Sequence, residues 1–131
     1  AGEIMKPSAL ATPHRPAATD KIALSSTDPS AELHVSMAQL QEKAGNSQGA
    51  ATQYEKALKL QPDHLPALMG YAHLKDREGD LAEAAKLYET ATQKHPQEAG
   101  PFNDLGLCYA RQKMFDKSVV ALSKAVAAPA R

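Results

Sequence analysis

Apolar positions recur along residues 31–127 with the spacing of amphipathic helices rather than the alternation of strands. Within residues 47–60 they are separated by four, three and one residues, so they share one helical face. The members of this stripe are Ala50, Tyr54, Ala57 and Leu58. Gly45-Asn46 precedes the stripe and Pro62 follows it, and both are helix-breaking signals. The pattern predicts a helix at about residues 31–44, followed by a second at 47–60 that packs against it.

The same pattern returns twice at an interval of 34 residues. Tyr88 corresponds to Tyr54, and Pro96 corresponds to Pro62. A constant period of this length predicts a stack of similar helix pairs. The repeats that it defines are residues 31–64, 65–98 and 99–131, the last incomplete at its end.

The turns between paired helices differ among the repeats. Gly45-Asn46 and Gly79-Asp80 occupy the first two turns, where glycine can adopt the left-handed conformation that ends a helix. Asp80 also forms a capping box with Glu83 at the start of the next helix. The third repeat is expected to have its helices at about 101–112 and 115–127. Lys113-Met114 lies between them, so we expect a tighter or less regular corner there.

Residue size also follows the repeat. Small residues occur where the two helices of a pair would cross closely: Ala38, Ala50, Ala72, Ala84, Gly106 and Ser118. Larger residues, expected to fill the wider space between successive pairs, are Tyr54, Tyr88 and Leu122. Because one pair cannot bury its apolar face alone, we expect the stack to be the folding unit.

Residues 1–30 have the composition of a linker. They contain four of the nine prolines and little apolar periodicity, so we expect a largely flexible leader. The short amphipathic patch at 20–24 is compatible with a turn of helix against the first repeat, and a disordered leader is the alternative. Ser30 is the predicted N-cap of the first helix.

The recurring set resembles the tetratricopeptide repeat over residues 31–128. The second repeat carries the fullest match: Leu68, Tyr71, Ala72, Gly79, Asp80, Leu81, Ala84, Tyr88, Ala91 and Pro96. His34 departs from the pattern, because a bulky apolar residue is usual at that position. The resemblance implies an all-α fold, a right-handed α-superhelix of three helix-turn-helix repeats (an αα solenoid).

Charge and hydropathy argue against nucleic acid as a partner and against a membrane span. The chain has 15 basic and 15 acidic residues, whereas a nucleic-acid-binding protein normally presents an excess of basic side chains. No apolar run approaches the roughly 18–20 residues that a membrane span needs. Because the chain starts at Ala1, we leave open a cytoplasmic protein and an exported one whose signal peptide was removed.

Catalytic and metal-binding patterns are not apparent in the sequence. No two of the five histidines are four residues apart on one predicted helix, and no cysteine or carboxylate completes a ligand set. Cys108 is the single cysteine, with no evident base beside it. The sequence contains no Gly-rich phosphate loop. We therefore expect no enzyme activity, no catalytic residue, no metal and no cofactor.

The resemblance implies a binding groove, because the first helices of tetratricopeptide repeats line a concave face that holds peptides or partner helices. The corresponding positions in this chain are Val35, Gln39, Met69, His73, Asn103 and Leu107, with Lys43, Arg77 and Arg111 at the rim. An apolar floor of Val35, Met69 and Leu107 is expected. The subclass that grips the C-terminal carboxylate of chaperones uses lysine in the groove, whereas Asp104 would repel that carboxylate.

The last helix presents a second candidate surface. Val119, Leu122 and Val126 are spaced by three and four residues, so they share one face. We expect a second copy of the chain or further repeats of a longer chain to cover this face, with the leader as the third possibility. The function predicted from the sequence is a non-catalytic protein-interaction module. The alternative is a structural or self-association piece of a longer array or of a homo-oligomer, such as a homodimer through this helix.

Overall fold

The computed structural model describes residues 28–128, and this part of the chain forms six α-helices and no strand. The helices are α1 (Ala31–Lys43), α2 (Ser47–Leu60), α3 (Leu65–Arg77), α4 (Leu81–Lys94), α5 (Ala99–Arg111) and α6 (Phe115–Ala127). The predicted all-α solenoid of helix pairs is confirmed. Helix α5 begins two residues before the expected position at Pro101. Most of the predicted leader, including the patch at 20–24, lies outside the described residues.

Each helix packs against its neighbours in the chain. The pairs are α1 with α2, α3 with α4 and α5 with α6, and the pairs are joined through contacts of α2 with α3 and of α4 with α5. A further contact joins α1 to α3, which places the first helices of consecutive pairs side by side. Contacts therefore run between nearest neighbours along the stack, as in other repeat proteins.

The helix crossings within pairs depend on small side chains. Ala38, Ala50, Ala72 and Ala84 are all 0% exposed, as the sequence predicted. The third crossing is polar, because the hydroxyl of Ser118 donates a hydrogen bond to the carbonyl oxygen of Gly106 at 2.8 Å. A Cβ at Gly106 would lie 2.6 Å from Cγ of Leu122. The absence of a Cβ at Gly106 therefore leaves room for the side chain of Leu122.

Tyrosines fill the space between successive pairs. Tyr54 and Tyr88 are each 1% exposed, which confirms their predicted role. The ring of Tyr54 stacks on that of Tyr71 with 5.9 Å between centroids. Gly70 leaves room for this ring, since a Cβ there would lie 2.6 Å from Cε1 of Tyr54. Leu122 occupies the corresponding position in the third pair and is half-buried.

The three corners within pairs have the same backbone geometry. Gly45, Gly79 and Lys113 adopt left-handed φ angles of 80°, 86° and 61°. Lys113 N–H donates to the carbonyl of Ala110 at 2.9 Å, and Met114 N–H donates to that of Tyr109 at 2.8 Å. The first two corners make the same pair of hydrogen bonds. The expectation of a tighter or less regular third corner was therefore wrong, because helix packing imposes this geometry on a lysine as well.

Side chains cap several of the helices. Ser30 accepts a hydrogen bond from Leu33 N–H at 3.1 Å and is the predicted N-cap of α1. Asn46 and Asp80 cap α2 and α4 in the same way, whereas Met114 offers α6 no side-chain cap. His34, at the position where an apolar residue was expected, is 8% exposed; its Nδ1 lies 2.7 Å from Oε1 of Gln53. That polar contact allows a histidine to replace an apolar side chain in the core.

Candidate functional site

Helices α1, α3 and α5 carry the predicted groove residues, and the structure exposes them unequally. Gln39, His73 and Asn103 are exposed, and Leu107 is 43% exposed. Val35, in contrast, is 6% exposed and belongs to the apolar core around Tyr54. The assignment of Val35 to the groove floor is therefore corrected. Its side chain is buried in the core between the first two helix pairs.

The apolar floor is smaller than the sequence predicted. Met69 is half-buried and packs against the core around Tyr88. Leu107 remains the most accessible apolar side chain among the groove positions. An apolar anchor of a partner would therefore meet Leu107 and the edge of Met69 rather than a continuous floor.

The two rim arginines form ion pairs that join consecutive repeats. Arg77 contacts Glu42 through Nη2, and these residues are 35 positions apart. Arg111 binds Asp76 with both Nε and Nη2, the Nε–Oδ1 distance being 3.0 Å, again across 35 positions. The hydrogen bond to Asp76 raises the pKa of the Arg111 guanidinium. Lys43, the remaining rim residue, is exposed on α1.

The sequence contains a signal for these pairs that the groove prediction did not use. An acidic residue directly precedes the basic one at the end of both α1 and α3: Glu42-Lys43 and Asp76-Arg77. The acidic member of each doublet binds the arginine one repeat later. A doublet that recurs with the repeat period therefore indicates a ladder of ion pairs along the stack.

Tyrosine hydroxyls connect the core to the acidic residues of the preceding helix. Three tyrosines donate hydrogen bonds in this way: Tyr54 to Glu42, Tyr71 to Glu55 and Tyr109 to Glu89. Burial is the main cause that raises the pKa of each of these hydroxyls, and the hydrogen bond to the glutamate raises it further. Glu42 accepts hydrogen bonds from both Tyr54 and Arg77, so this arginine is held in a defined position.

A polar hollow of about 380 Å³ lies between α3 and α5. Its lining residues are His73, Asp76, Arg77, Tyr88, Asp104 and Arg111. Nε2 of His73 lies 2.9 Å from Oδ2 of Asp104. The side chains of Arg77 and Arg111 are 59% and 50% exposed, so part of each five-donor guanidinium remains accessible beside its ion pair. The hollow therefore presents hydrogen-bond donors and acceptors together, and its two arginines balance its two aspartates.

Within residues 28–128, no group of three or more His, Cys, Asp or Glu side chains is arranged so that it could hold a metal ion. Cys108 is 0% exposed, and its Sγ lies 3.4 Å from the carbonyl oxygen of Leu81. Burial raises the pKa of this thiol. A thiolate nucleophile requires the opposite shift. None of the six helices is long and apolar enough to cross a membrane.

The predicted association face on α6 is only partly as expected. Val119 and Val126 are 62% and 88% exposed. Leu122 differs from them, because it is half-buried and packs against Gly106 within its own pair. The sequence prediction omitted Phe115, which is 62% exposed at the start of the same helix. Its correspondence to Leu81, 34 residues earlier, could have identified it.

The chain is similar to parts of several longer known proteins. The chain is 40% identical over 70 residues to the probable biofilm formation methyltransferase WspC of Pseudomonas putida; these residues are 53% of this chain and 16% of that protein. The structure of MamA superposes with a TM-score of 0.70 at 22% identity, covering 74% of this chain and 57% of that one. The structure of YrrB, described as a TPR protein with an unusual peptide-binding site, superposes with a TM-score of 0.67 at 23% identity, covering 79% of this chain and 54% of that one. At these identities the two structures show the fold alone.

The family match covers most of the chain. The sequence profile of the tetratricopeptide repeat matches residues 35–99 and, in an overlapping register, residues 72–131. Helix pairing, the small residues at the crossings and the tyrosines between pairs agree with this match. The chain belongs to the tetratricopeptide repeat family.

Proposed function

We propose that the concave face of α1, α3 and α5 binds a segment of a partner protein without catalysing a reaction. The observation that carries this proposal is the polar hollow between α3 and α5, whose arginines are held by ion pairs and still expose part of their guanidinium groups. Donors fixed in this way lose little conformational entropy when a ligand binds. Membership of a family of protein-interaction repeats supports the same function.

The composition of the hollow favours an uncharged polar segment. Two arginines and two aspartates line it, so neither a strongly acidic nor a strongly basic peptide gains net attraction. Backbone N–H and C=O groups of an extended peptide can pair with such a mixed set. Leu107 and Met69 would then contact one apolar side chain of the peptide. The description of YrrB as having a peptide-binding site is a further reason to test peptides first.

A displayed library of random peptides, selected on the wild-type chain, tests this proposal. Leu107→Ala and Gln39→Ala change exposed groove residues that take no part in the ion pairs, and Lys86→Ala on α4 is the matched surface control. We expect the groove variants to release selected peptides about tenfold faster, because loss of an anchor acts mainly on dissociation. Peptides that are insensitive to both groove variants and weakened by Lys86→Ala would overturn the proposal.

A second candidate function is self-association through the exposed face of α6. Val119 and Val126 leave apolar surface open on the last helix that the structure describes. Contiguous exposed apolar surface of this kind commonly marks a contact site. We propose that a second copy of this chain is the partner at this surface.

A further inference from the structure

The first helix exposes a face that the later first helices bury. Leu33 and Leu40 on α1 are 49% and 66% exposed. The residues 34 positions later, Ala67 and Leu74 on α3, are 0% and 2% exposed, because α2 packs over that face. On α5 the residue 68 positions after Leu40 is Cys108, which is 0% exposed beneath α4. Helix α1 therefore presents one half of the interface that joins successive pairs.

The last helix exposes the complementary half of that interface. Val119 is 62% exposed, whereas Ala85, its equivalent on α4, is 6% exposed. Val126 is 88% exposed, whereas its equivalent Thr92 is 8% exposed. On α4 this face is covered by α5. The two ends of the described stack thus show the two sides of one repeated contact.

We infer that copies of this chain associate head to tail, with α1 of one copy packing on α6 of the next and extending the solenoid. This inference rests on the self-association proposed above and specifies its geometry. The repeat identifies what can cover α6. Inside the chain the equivalent face of α4 is covered by a first helix, α5, and the first helix with the corresponding face exposed is α1 of another copy. Such a contact joins two different faces, so it propagates into open chains instead of closing as a symmetric dimer.

The side chains at this junction can pack as their equivalents do between α4 and α5. Inside the chain, Cys108 Sγ lies 3.4 Å from the carbonyl oxygen of Leu81. Shifted by the repeat, the same contact brings Leu40 of the following copy against Phe115, two apolar residues that are both mostly exposed. Each would gain burial from the contact.

Space at the junction is also sufficient. Within the chain Gly70 must lack a side chain because the Tyr54 ring occupies that space. At the junction Ser36 takes the place of Gly70 and is slightly larger than glycine, and Leu122 takes the place of Tyr54 and is shorter than tyrosine. The exchange offsets the added volume, so the helices can approach as they do inside the stack.

Charge distinguishes the junction from the internal interfaces. Internal interfaces carry the pairs Arg77–Glu42 and Arg111–Asp76. At the junction Lys43 of the following copy would meet Ala110, which has no carboxylate. The contact is therefore mainly apolar. Added salt should not weaken it, because there is no ion pair to screen.

Two exposed substitutions test the geometry in the full chain. Leu40→Lys places a cation in the last turn of α1, and Phe115→Glu places an anion at the first position of α6, both of which the helix dipole tolerates. Each puts an unpaired charge in the junction and should weaken association on the order of 100-fold. Lys86→Glu, on the exposed side of α4, is the control and should leave association unchanged.

Sedimentation equilibrium over a concentration series provides the measurement. Wild type should form species larger than a dimer as concentration rises, and each single variant should be monomeric. An equimolar mixture of the Leu40→Lys and Phe115→Glu chains should associate again, at least into one-to-one dimers, because each variant keeps the face that the other has lost and the two introduced charges are of opposite sign at the remaining junction. Circular dichroism should show equal helicity for all chains.

The other outcomes overturn the head-to-tail geometry and show whether self-association itself also fails. If Phe115→Glu is monomeric while Leu40→Lys still associates, the contact is a symmetric one through α6, or the α1 face is already covered by the leader. Self-association then stands and the head-to-tail geometry fails. If wild type stays monomeric at every concentration, both fail. Neither result affects the groove proposal, which concerns a different face.

Discussion

The corner between α5 and α6 combines a left-handed lysine with an uncapped helix, and both features can be corrected by substitution. Lys113 has a φ of 61°, where the other two corners carry glycine. Met114 is the N-cap residue of α6 and makes no side-chain hydrogen bond, whereas Asp80 caps α4. The double substitution Lys113→Gly and Met114→Asp gives this corner the sequence of the second one. We expect it to raise the free energy of unfolding.

The magnitude follows from two local effects. Relief of the left-handed conformation gains about 1–2 kcal/mol, and the greater freedom of glycine in the unfolded chain removes about 0.4–1 kcal/mol of that. A new aspartate N-cap adds about 1 kcal/mol. The sum is about 1–2.6 kcal/mol, which for a domain of this size corresponds to an increase in Tm of about 4–21 °C.

Thermal melts followed by circular dichroism check this prediction, with the single variants measured separately. Gly79→Ala is the matched control, because a Cβ at this position meets no atom within 4 Å and only the φ of 86° opposes it. That variant should lose about 0.5–1 kcal/mol. If Lys113→Gly leaves the Tm unchanged or lowers it while Gly79→Ala destabilises the protein, the reasoning about backbone strain at the third corner is refuted.

Three further predictions concern the core. Ala84→Leu should cost about 1–3 kcal/mol of unfolding free energy, because Ala84 is 0% exposed at a helix crossing and extra methylenes overpack it; a wild-type urea midpoint would contradict this. Burial raises the pKa of all four tyrosines, so their contribution to stability is complete below the unfolded-state pKa of about 10 and is lost as the pH rises above it. Ultraviolet titration should therefore show tyrosinate forming together with loss of helicity, and ionisation near pH 10 with intact helices would argue against it. Cys108, with 0% exposure and a raised thiol pKa, should react with a thiol reagent only after denaturation, and immediate labelling of the native chain would be the opposite result.

Much of the fold was predictable because its signals are local. The stripe containing Tyr54 and Ala57, the glycine turns and the closing prolines each specify a helix or its end within a few residues. Their recurrence at 34 positions then specifies stacking. The third corner was mispredicted for the same reason: the local preference of Lys113 argues against a left-handed residue, and packing of α5 against α6 outweighed it.

The candidate site was less predictable because its contacts join residues far apart in the chain. Arg77 and Arg111 appeared as free rim charges, whereas each is held by an acidic residue 35 positions earlier. Val35 looked like a groove residue by its place in the repeat, but the first pair buries it. Leu122 looked outward by its spacing, although Gly106 gives it space within its own pair.

By itself the sequence determined the helix pairs, their period and the residues at the helix crossings, since side-chain size and helix-ending signals act over one turn or one repeat. It also determined the balance of charge, with 15 basic and 15 acidic residues. Only the tertiary structure decided which charges remain available in the groove and which apolar side chains remain exposed at the two ends of the stack. Those properties depend on what each side chain contacts across an interface. Leu40 and Leu74 occupy the same repeat position, yet one is exposed and the other is buried.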